Sequence, residues 1–302
     1  MKVVLTGASG LLGPALAASL RADGHDVVRL VRREPTGPDE ARWDPAGGTV
    51  DNAALQGAAA VVHLAGVGLG DKPWTAAHRR AVLDSRVEGT TTIARAVAEH
   101  GVPVLVSASG VGYYGNPGDQ VLDEESPRGT TNIADIAAAW EAATEAAVAG
   151  GARVVLARTA VVLSAKGGAY GRLLPLFRLG LGGKIGSGRQ WWSWISLDDY
   201  LRCVRFVLDR DELAGPVNLS APEPLTNADM TASMGRVLHR PTVFTAPGWA
   251  MKLPLRDFAE DLLGGQRVLP RRLLDAGLAF AHPTFEPALR EVLAQGHPRT
   301  TS

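Results

Sequence analysis

The sequence predicts an α/β fold: a doubly wound parallel sheet with a smaller C-terminal lobe. Three observations predict it. Short Val/Leu/Ala-rich runs alternate with longer amphipathic ones through the first half of the chain. The short runs are apolar on both faces, as a parallel sheet covered by helices on both sides requires. The first of them ends in a glycine-rich turn that opens the first helix.

The elements follow in order. Lys2–Thr6 (KVVLT) is a buried-strand pattern, and Leu11–Arg21 has helical spacing. Asp26–Val31 (DVVRLV) is a second strand, and Ala59–Leu64 (AAVVHL) a third that runs into Ala65-Gly66. Thr75–His100 places Val82, Ile93 and Val97 on one helical face. Val102–Ser107 is a strand, Asn132–Ala149 an alanine-rich helix and Arg153–Arg158 a strand. Strand and helix therefore alternate without the short turns of a hairpin-built sheet, and each crossover is expected to be right-handed.

After about residue 165 the texture changes. Residues 166–190 are rich in glycine and leucine, and Trp191, Trp192 and Trp194 follow. Residues 197–209 and Thr226–Leu238 read as helices, Pro216–Leu219 as a short strand, and 240–302 carries many prolines. The expected division is a nucleotide-binding domain over 1–165, rejoined by elements at about 194–220. A smaller lobe takes 166–193 and 221–302.

Composition narrows the function. Lys plus Arg and Asp plus Glu both total 31, for a net charge of zero. A nucleic-acid surface needs excess positive charge, so a nucleic-acid partner is not expected. The one cysteine, Cys203, sits in an apolar helical run and reads as a buried, inert thiol. The histidines form no cluster at metal-ligand spacing, so no metal site is expected. No charged-then-apolar leader precedes the first strand, and no apolar stretch approaches the roughly 18–20 residues of a membrane span. A cytoplasmic protein is the expectation.

The turn Gly7-Ala8-Ser9-Gly10-Leu11-Leu12-Gly13 carries the strongest functional signal. Gly7 permits the tight bend, Gly10 lets backbone approach a pyrophosphate, and Gly13 allows close helix packing. Free N–H groups and the helix dipole favour an anion there. This is the dinucleotide site of a Rossmann domain. The tip of the second strand chooses the cofactor, because an acid there would hold the ribose 2′-hydroxyl of NAD. Here Val31 is followed by Arg32 and Arg33, and Glu34 lies beyond the strand. Two guanidiniums suit a 2′-phosphate, so NADP(H) is preferred and NAD(H) ranks second.

With these residues in hand, the chain resembles the short-chain dehydrogenase/reductase superfamily of the extended or atypical kind. More closely it resembles the epimerase-like family labelled NAD-dependent epimerase/dehydratase, or SDR family 39U. The resemblance runs nearly end to end through TGASGLLG at Thr6–Gly13, HLAG at His63–Gly66, DSRVEGT at Asp84–Thr90 and SASGVGYYG at Ser107–Gly115. It continues through Trp140-Glu141, Arg158–Tyr170, Ser187–Asp199, Gly215–Asn227 and LLGGQRVLP at Leu262–Pro270. It implies an NADP(H)-binding domain with Gly7, Ser9, Gly10, Leu11, Leu12 and Gly13 at the pyrophosphate. It also implies His63, Leu64, Ala65 and Gly66 as cofactor-flanking backbone, Ser107 to Ser109 on the nicotinamide side, and a C-terminal lobe closing over the cofactor. A homodimer through the helices at about 75–99 and 132–149 is common in that superfamily.

The usual chemistry of the superfamily is missing. It needs a Tyr and a Lys four apart on one helix, so that the ammonium stabilises the phenolate, and a Ser to orient the substrate oxygen. If Glu141 marks its customary place, the Lys position is Ala137 and the Tyr position is Ile133. The whole helix has no Tyr and no Lys, and the family the chain resembles shares this departure. Ser109, Tyr113 and Tyr114 are the remaining catalytic candidates, the two tyrosines reading equally as loop anchors. Glu141 is either a proton carrier, if buried beside the cofactor, or a helix-surface or N–H-bonded carboxylate. Gln190 and Trp192 belong to an amphipathic segment suited to stacking on a flat or sugar-like substrate or to packing. Ser196 with Asp198 and Asp199 fits a helix cap. Two functions stay open: an NADP(H)-dependent oxidoreductase or epimerase acting on a small carbonyl or alcohol, and a cofactor-binding sensor or scaffold with little turnover.

Overall fold

The computed structural model describes residues 1–247 and 264–295. Its first strand, β1 (Lys2–Thr6), buries Val3, Val4, Leu5 and Thr6 in succession. Then come α1 (Gly13–Ala22), β2 (Asp26–Val31), β3 (Glu40–Asp44), β4 (Thr49–Val50), the short α2 (Asn52–Leu55) and β5 (Ala60–His63). The long α3 (Ala76–Glu99) and β6 (Val104–Gly110) follow, then β7 (Val121–Leu122), α4 (Asn132–Ala142), α5 (Glu145–Ala149) and β8 (Arg153–Thr159). Next are β9 (Val161–Leu163), α6 (Gly168–Arg178), β10 (Gly183–Ile185), β11 (Trp191–Trp192), β12 (Trp194–Ser196), α7 (Leu197–Leu208) and β13 (Gly215–Leu219). After β14 (Leu225–Thr226), α8 (Asn227–Leu238), β15 (Phe244–Ala246) and β16 (Arg267–Val268), two helices at Arg271–Asp275 and Phe285–Gln295 end the described chain.

The central sheet has eight strands in the order β13-β8-β6-β5-β1-β2-β3-β4. β1 pairs in parallel with β2 and β5, β5 with β6, and β2 with β3. The C-terminal ends of these strands therefore lie along one edge, which is where open α/β sheets bind ligands. Val4, Leu30, Val61 and Leu105 of the strands pack with Ile93 and Val97 of α3, the face its helical spacing predicts.

The chain divides into two units. One is Met1–Tyr113, Asp135–Arg158 and Leu201–Val217; the other is Tyr114–Ala134, Thr159–Tyr200 and Asn218–Ser302. The second unit has its own core, in which Trp192, Trp194, Met230, Met234, Phe285 and Leu289 are buried together.

Two expectations about elements change. β3 and β4 form an antiparallel hairpin that the sequence reading passed over, because EARWD alternates charge with apolar residues over a short span. Its buried Glu40 is paid for by arginine pairing rather than signalled by hydrophobicity. The expected single helix over Asn132–Ala149 is two helices. The break falls at Thr144, whose hydroxyl donates to the Glu141 carbonyl at 2.7 Å, in competition with the regular helical bond. Leu262 and Leu263 of the LLGGQRVLP segment lie outside the described residues. No described helix is long and apolar enough to cross a membrane.

Candidate functional site

The glycine turn stands at the edge where β1, β2, β5 and β6 end. Gly7 has φ +69°, and a Cβ on it would lie 2.7 Å from the Leu64 carbonyl carbon and 2.9 Å from Ala65 N. Only glycine lets the turn press against the Leu64–Ala65 peptide. Gly13 is equally constrained, since its Cβ would meet Gly7 O at 2.3 Å and Ala8 Cα at 2.6 Å. The close packing that needs Gly13 is thus with the turn's own backbone. Gly10 meets only Gly7 O at 3.5 Å and faces open space otherwise. Ser9 and Gly10 are exposed, and Leu11 and Leu12 are half-buried. Among the described residues no side chain caps α1; Pro14 occupies its first turn, which holds no acid. An uncapped helix start without an acid suits a phosphate.

Thr6 ties this turn to β5. Its Oγ1 accepts from Leu64 N at 3.0 Å and Ala65 N at 3.2 Å, and lies 2.8 Å from His63 Nδ1. With both lone pairs taken, the Thr6 hydroxyl donates to His63 Nδ1, which leaves the imidazole proton on Nε2. His63 is fully buried, and burial pushes its pKa down to about 3. It is neutral, and the Leu64–Ala65 segment is held by an uncharged relay. Gly66 is exposed at the end of this segment.

At the tip of β2 the two arginines differ. Arg33 donates to Glu40 through Nη1 at 2.8 Å and Nη2 at 2.7 Å. Glu40 also accepts from Thr36 N, and these bonds, Arg33's first, hold its pKa down at about 2. Arg32 is exposed and has no hydrogen-bond or ion-pair partner among the described residues. Glu34 is ion-paired with Arg42. Among the described residues one guanidinium is therefore free at the tip of β2, and the nearby acids are engaged by other arginines.

Further along the edge, β6 presents Ser107 and Ser109. Ser107 pairs in register with His63, is buried, and its hydroxyl has no hydrogen-bond partner among the described residues. Ser109 donates to Glu141 Oε1 at 2.7 Å. Glu141 accepts again from Arg158, at Oε1 from Nε and at Oε2 from Nη2, both at 2.8 Å. The side chains of Arg158 and Glu141 are only 4% and 9% exposed. The Arg158 guanidinium lies 3.5 Å over the Tyr113 ring centroid. The structure therefore joins Ser109, Tyr113 and Glu141 through a residue the sequence reading did not single out. The signal was present, since an arginine closes the otherwise apolar run VVLA of β8. Glu141 lies off the helix surface as a buried, N–H-bonded carboxylate whose oxygens are taken by Arg158 and Ser109. Ile133 and Ala137, the Tyr and Lys positions, are buried at 8% and 5% exposure.

Other candidates belong elsewhere. Tyr114 is buried in the second unit and donates to Asn218 Oδ1 at 2.7 Å, a loop anchor. Trp192 is part of the second unit's core. Gln190 is buried there too and donates to Ile185 O at 3.0 Å. Ser196 accepts from Asp199 N at 3.0 Å, the expected cap. Asp198, Asp199 and His282 bring ligand atoms within 4.8 Å of one another, a group invisible in the sequence because His282 is remote. Asp199 already accepts from Ala281 N and His282 N, and His282 pairs with Glu291.

Comparison with known proteins places this geometry. Residues 3–220 match the model of the NAD dependent epimerase/dehydratase family, and residues 246–292 match a domain of unknown function, DUF1731. The chain is 46% identical to an epimerase family protein of Mycobacterium bovis over 95% of this chain and 96% of that protein. It is 38% identical to the epimerase family protein SDR39U1 of Bos taurus, over 97% of this chain and all (100%) of that protein. The crystal structure of human epimerase family protein SDR39U1 (isoform 2) with NADPH superposes with a TM-score of 0.88 at 33% identity, covering 97% of this chain and 99% of that one.

Proposed function

The chain belongs to the NAD-dependent epimerase/dehydratase family, and on that premise we propose that it binds NADP(H) in preference to NAD(H) and acts as an oxidoreductase or epimerase-like enzyme on a small carbonyl or alcohol. The residues fit the cofactor. The uncapped start of α1 and the close-packed glycines suit its pyrophosphate, and unpaired Arg32 suits its 2′-phosphate. The human relative crystallised with NADPH supports the same choice.

The observation that carries the reaction is the hydrogen-bonded chain Ser109–Glu141–Arg158. When bound, the nicotinamide supplies hydride transfer to or from the carbon that bears the substrate oxygen. The chain's own residues handle the proton. Ser109 Oγ accepts the substrate hydroxyl proton as its own proton passes to Glu141 Oε1; carbonyl reduction runs the same relay backwards. Arg158 fixes both carboxylate oxygens through its two hydrogen bonds and so holds Oε1 towards Ser109. Tyr113, stacked under the guanidinium, holds Arg158 in place.

A second reading is a sensor or scaffold that binds NADP(H) with little turnover. It is favoured by the apolar Ile133 and Ala137 and by the Ser109 proton already committed to Glu141. NADPH oxidation across a panel of small aldehydes, ketones and keto acids separates the two. The enzyme reading expects turnover that falls about 10²–10⁴-fold in Ser109→Ala while NADPH affinity is kept. No turnover on any carbonyl, with NADPH bound tightly, leaves the sensor.

A further inference from the structure

Arg86, on α3 within the Asp84–Thr90 segment, is not used by the relay above. It is 8% exposed, and burial lowers its pKa to about 10, so it stays cationic at neutral pH. A buried cation ordinarily has a carboxylate partner, because an uncompensated charge in the interior is costly. Arg86 has none within ion-pair distance among the described residues. Its Nη1 donates to two backbone carbonyls, Val67 O at 2.7 Å and Val82 O at 3.1 Å. Asp71 acts on it only at longer range, and the Asp71 carboxylate accepts from Gly68 N. The N–H groups on Nε and Nη2 have no protein acceptor among the described residues.

The surroundings are built rather than incidental. The guanidinium lies 4.6 Å over the Trp140 ring centroid. The Trp140 indole N–H is itself buried without a partner among the described residues. A Cβ on Gly66 would stand 3.5 Å from Arg86 Cγ and Nη1, so the bare glycine leaves that flank of the cation uncovered. Gly66 follows the Leu64–Ala65 peptide on which the glycine turn packs. A brace for the Val67 carbonyl would need only a neutral donor, whereas a cation with two idle donor groups calls for a negative charge.

We propose that Arg86 is an anion-holding residue, taking a carboxylate or phosphate of a bound ligand on its Nε and Nη2 groups with the Trp140 ring as the backing plane. The fork of a guanidinium edge matches two oxygens of such a group. The anion comes either from the dinucleotide or from the small substrate, in which case the substrate is an acid or a phosphate ester. The choice between these sources rests on the dinucleotide reading above; the anion site itself does not.

The test uses the full-length, ¹⁵N-labelled protein. The Trp140 indole N–H resonance, assigned with Trp140→Phe, is followed during titration with acetate and with inorganic phosphate at constant ionic strength, with and without saturating NADPH. The expected result is a saturable shift in the wild type whose midpoint rises at least about tenfold in Arg86→Met. A response abolished by NADPH assigns the anion to the dinucleotide, and one that persists assigns it to the substrate. Arg86→Lys, which keeps a point charge but not the fork, covers the case in which Arg86→Met does not fold, and it too must weaken the response. No saturable shift in the wild type in either state, or the same shift in the variants, overturns the proposal. NADPH fluorescence in the same samples separates the two readings. NADPH binding without an anion response removes this inference and leaves the dinucleotide site, and the converse removes the dinucleotide site alone.

Discussion

Arg158 grips Glu141 with two hydrogen bonds of 2.8 Å, Nε to Oε1 and Nη2 to Oε2, and the pair is almost wholly buried. Removing one partner strands the other's charge. Glu141→Ala or Arg158→Ala is therefore expected to cost about 3–5 kcal/mol of unfolding free energy. The double replacement Glu141→Met with Arg158→Met should cost less than either single alanine change, because no charge is left behind. Urea unfolding of the variants reads this directly, and a double replacement as costly as the sum of the singles would show that the two side chains act independently.

The same pair shows where sequence reasoning stops. The parallel sheet, the glycine turn and α3 were legible because each has its own period or spacing. The turn's glycines could be read from their context, and the structure adds that Gly7 and Gly13 are demanded by close backbone contacts. Glu141 and Arg158 were not legible as partners. They are 17 residues apart on a helix and a strand, and nothing local to either one reports the other. The β3–β4 hairpin was missed for a related reason: Glu40 is buried by its pairing with Arg29 and Arg33 rather than by apolar character.

Gly7 and Gly48 have nearly the same backbone, with φ +69° and +68°, but a Cβ on Gly48 meets nothing within 4 Å. Gly48→Ala should therefore cost only the left-handed penalty of about 1–2 kcal/mol. Gly7→Ala must in addition push the Leu64–Ala65 peptide away, and it should both destabilise more and abolish dinucleotide binding. Thermal unfolding and NADPH fluorescence of the two variants side by side provide the check, and equal losses would mean that the close contact at Gly7 is unimportant.

His63 gives the protein an acid-sensitive element. Burial lowers its folded-state pKa to about 3, against an ordinary value near 6.5. Between those values the unfolded chain binds the proton and the folded chain does not. The stability this contributes is complete above about pH 6.5 and is lost progressively as pH falls towards 3. His63→Asn should flatten stability against pH across that window. A His63→Asn profile parallel to the wild type would contradict the neutral, buried imidazole.

Tyr114 and Ser109 should separate structure from chemistry. Tyr114→Phe leaves the buried Asn218 Oδ1 without its donor and should cost about 1–3 kcal/mol with no change in NADPH affinity. Ser109→Ala should leave NADPH affinity intact and lower turnover. Tyr114→Phe acting mainly on turnover, with stability kept, would return that tyrosine to the catalytic group.

The proposed function rests on an NADP(H) site built from the glycine turn and Arg32. The most direct measurement is fluorescence titration of the wild type, Arg32→Asp and Arg33→Ala with NADPH, NADH and their oxidised forms. Tight NADPH binding by the wild type is expected, with a preference for NADPH over NADH that Arg32→Asp cancels. A smaller loss of that preference is expected in Arg33→Ala, whose guanidinium is already held by Glu40. Absence of binding by any dinucleotide, or an NADPH preference untouched in Arg32→Asp, would contradict such a site.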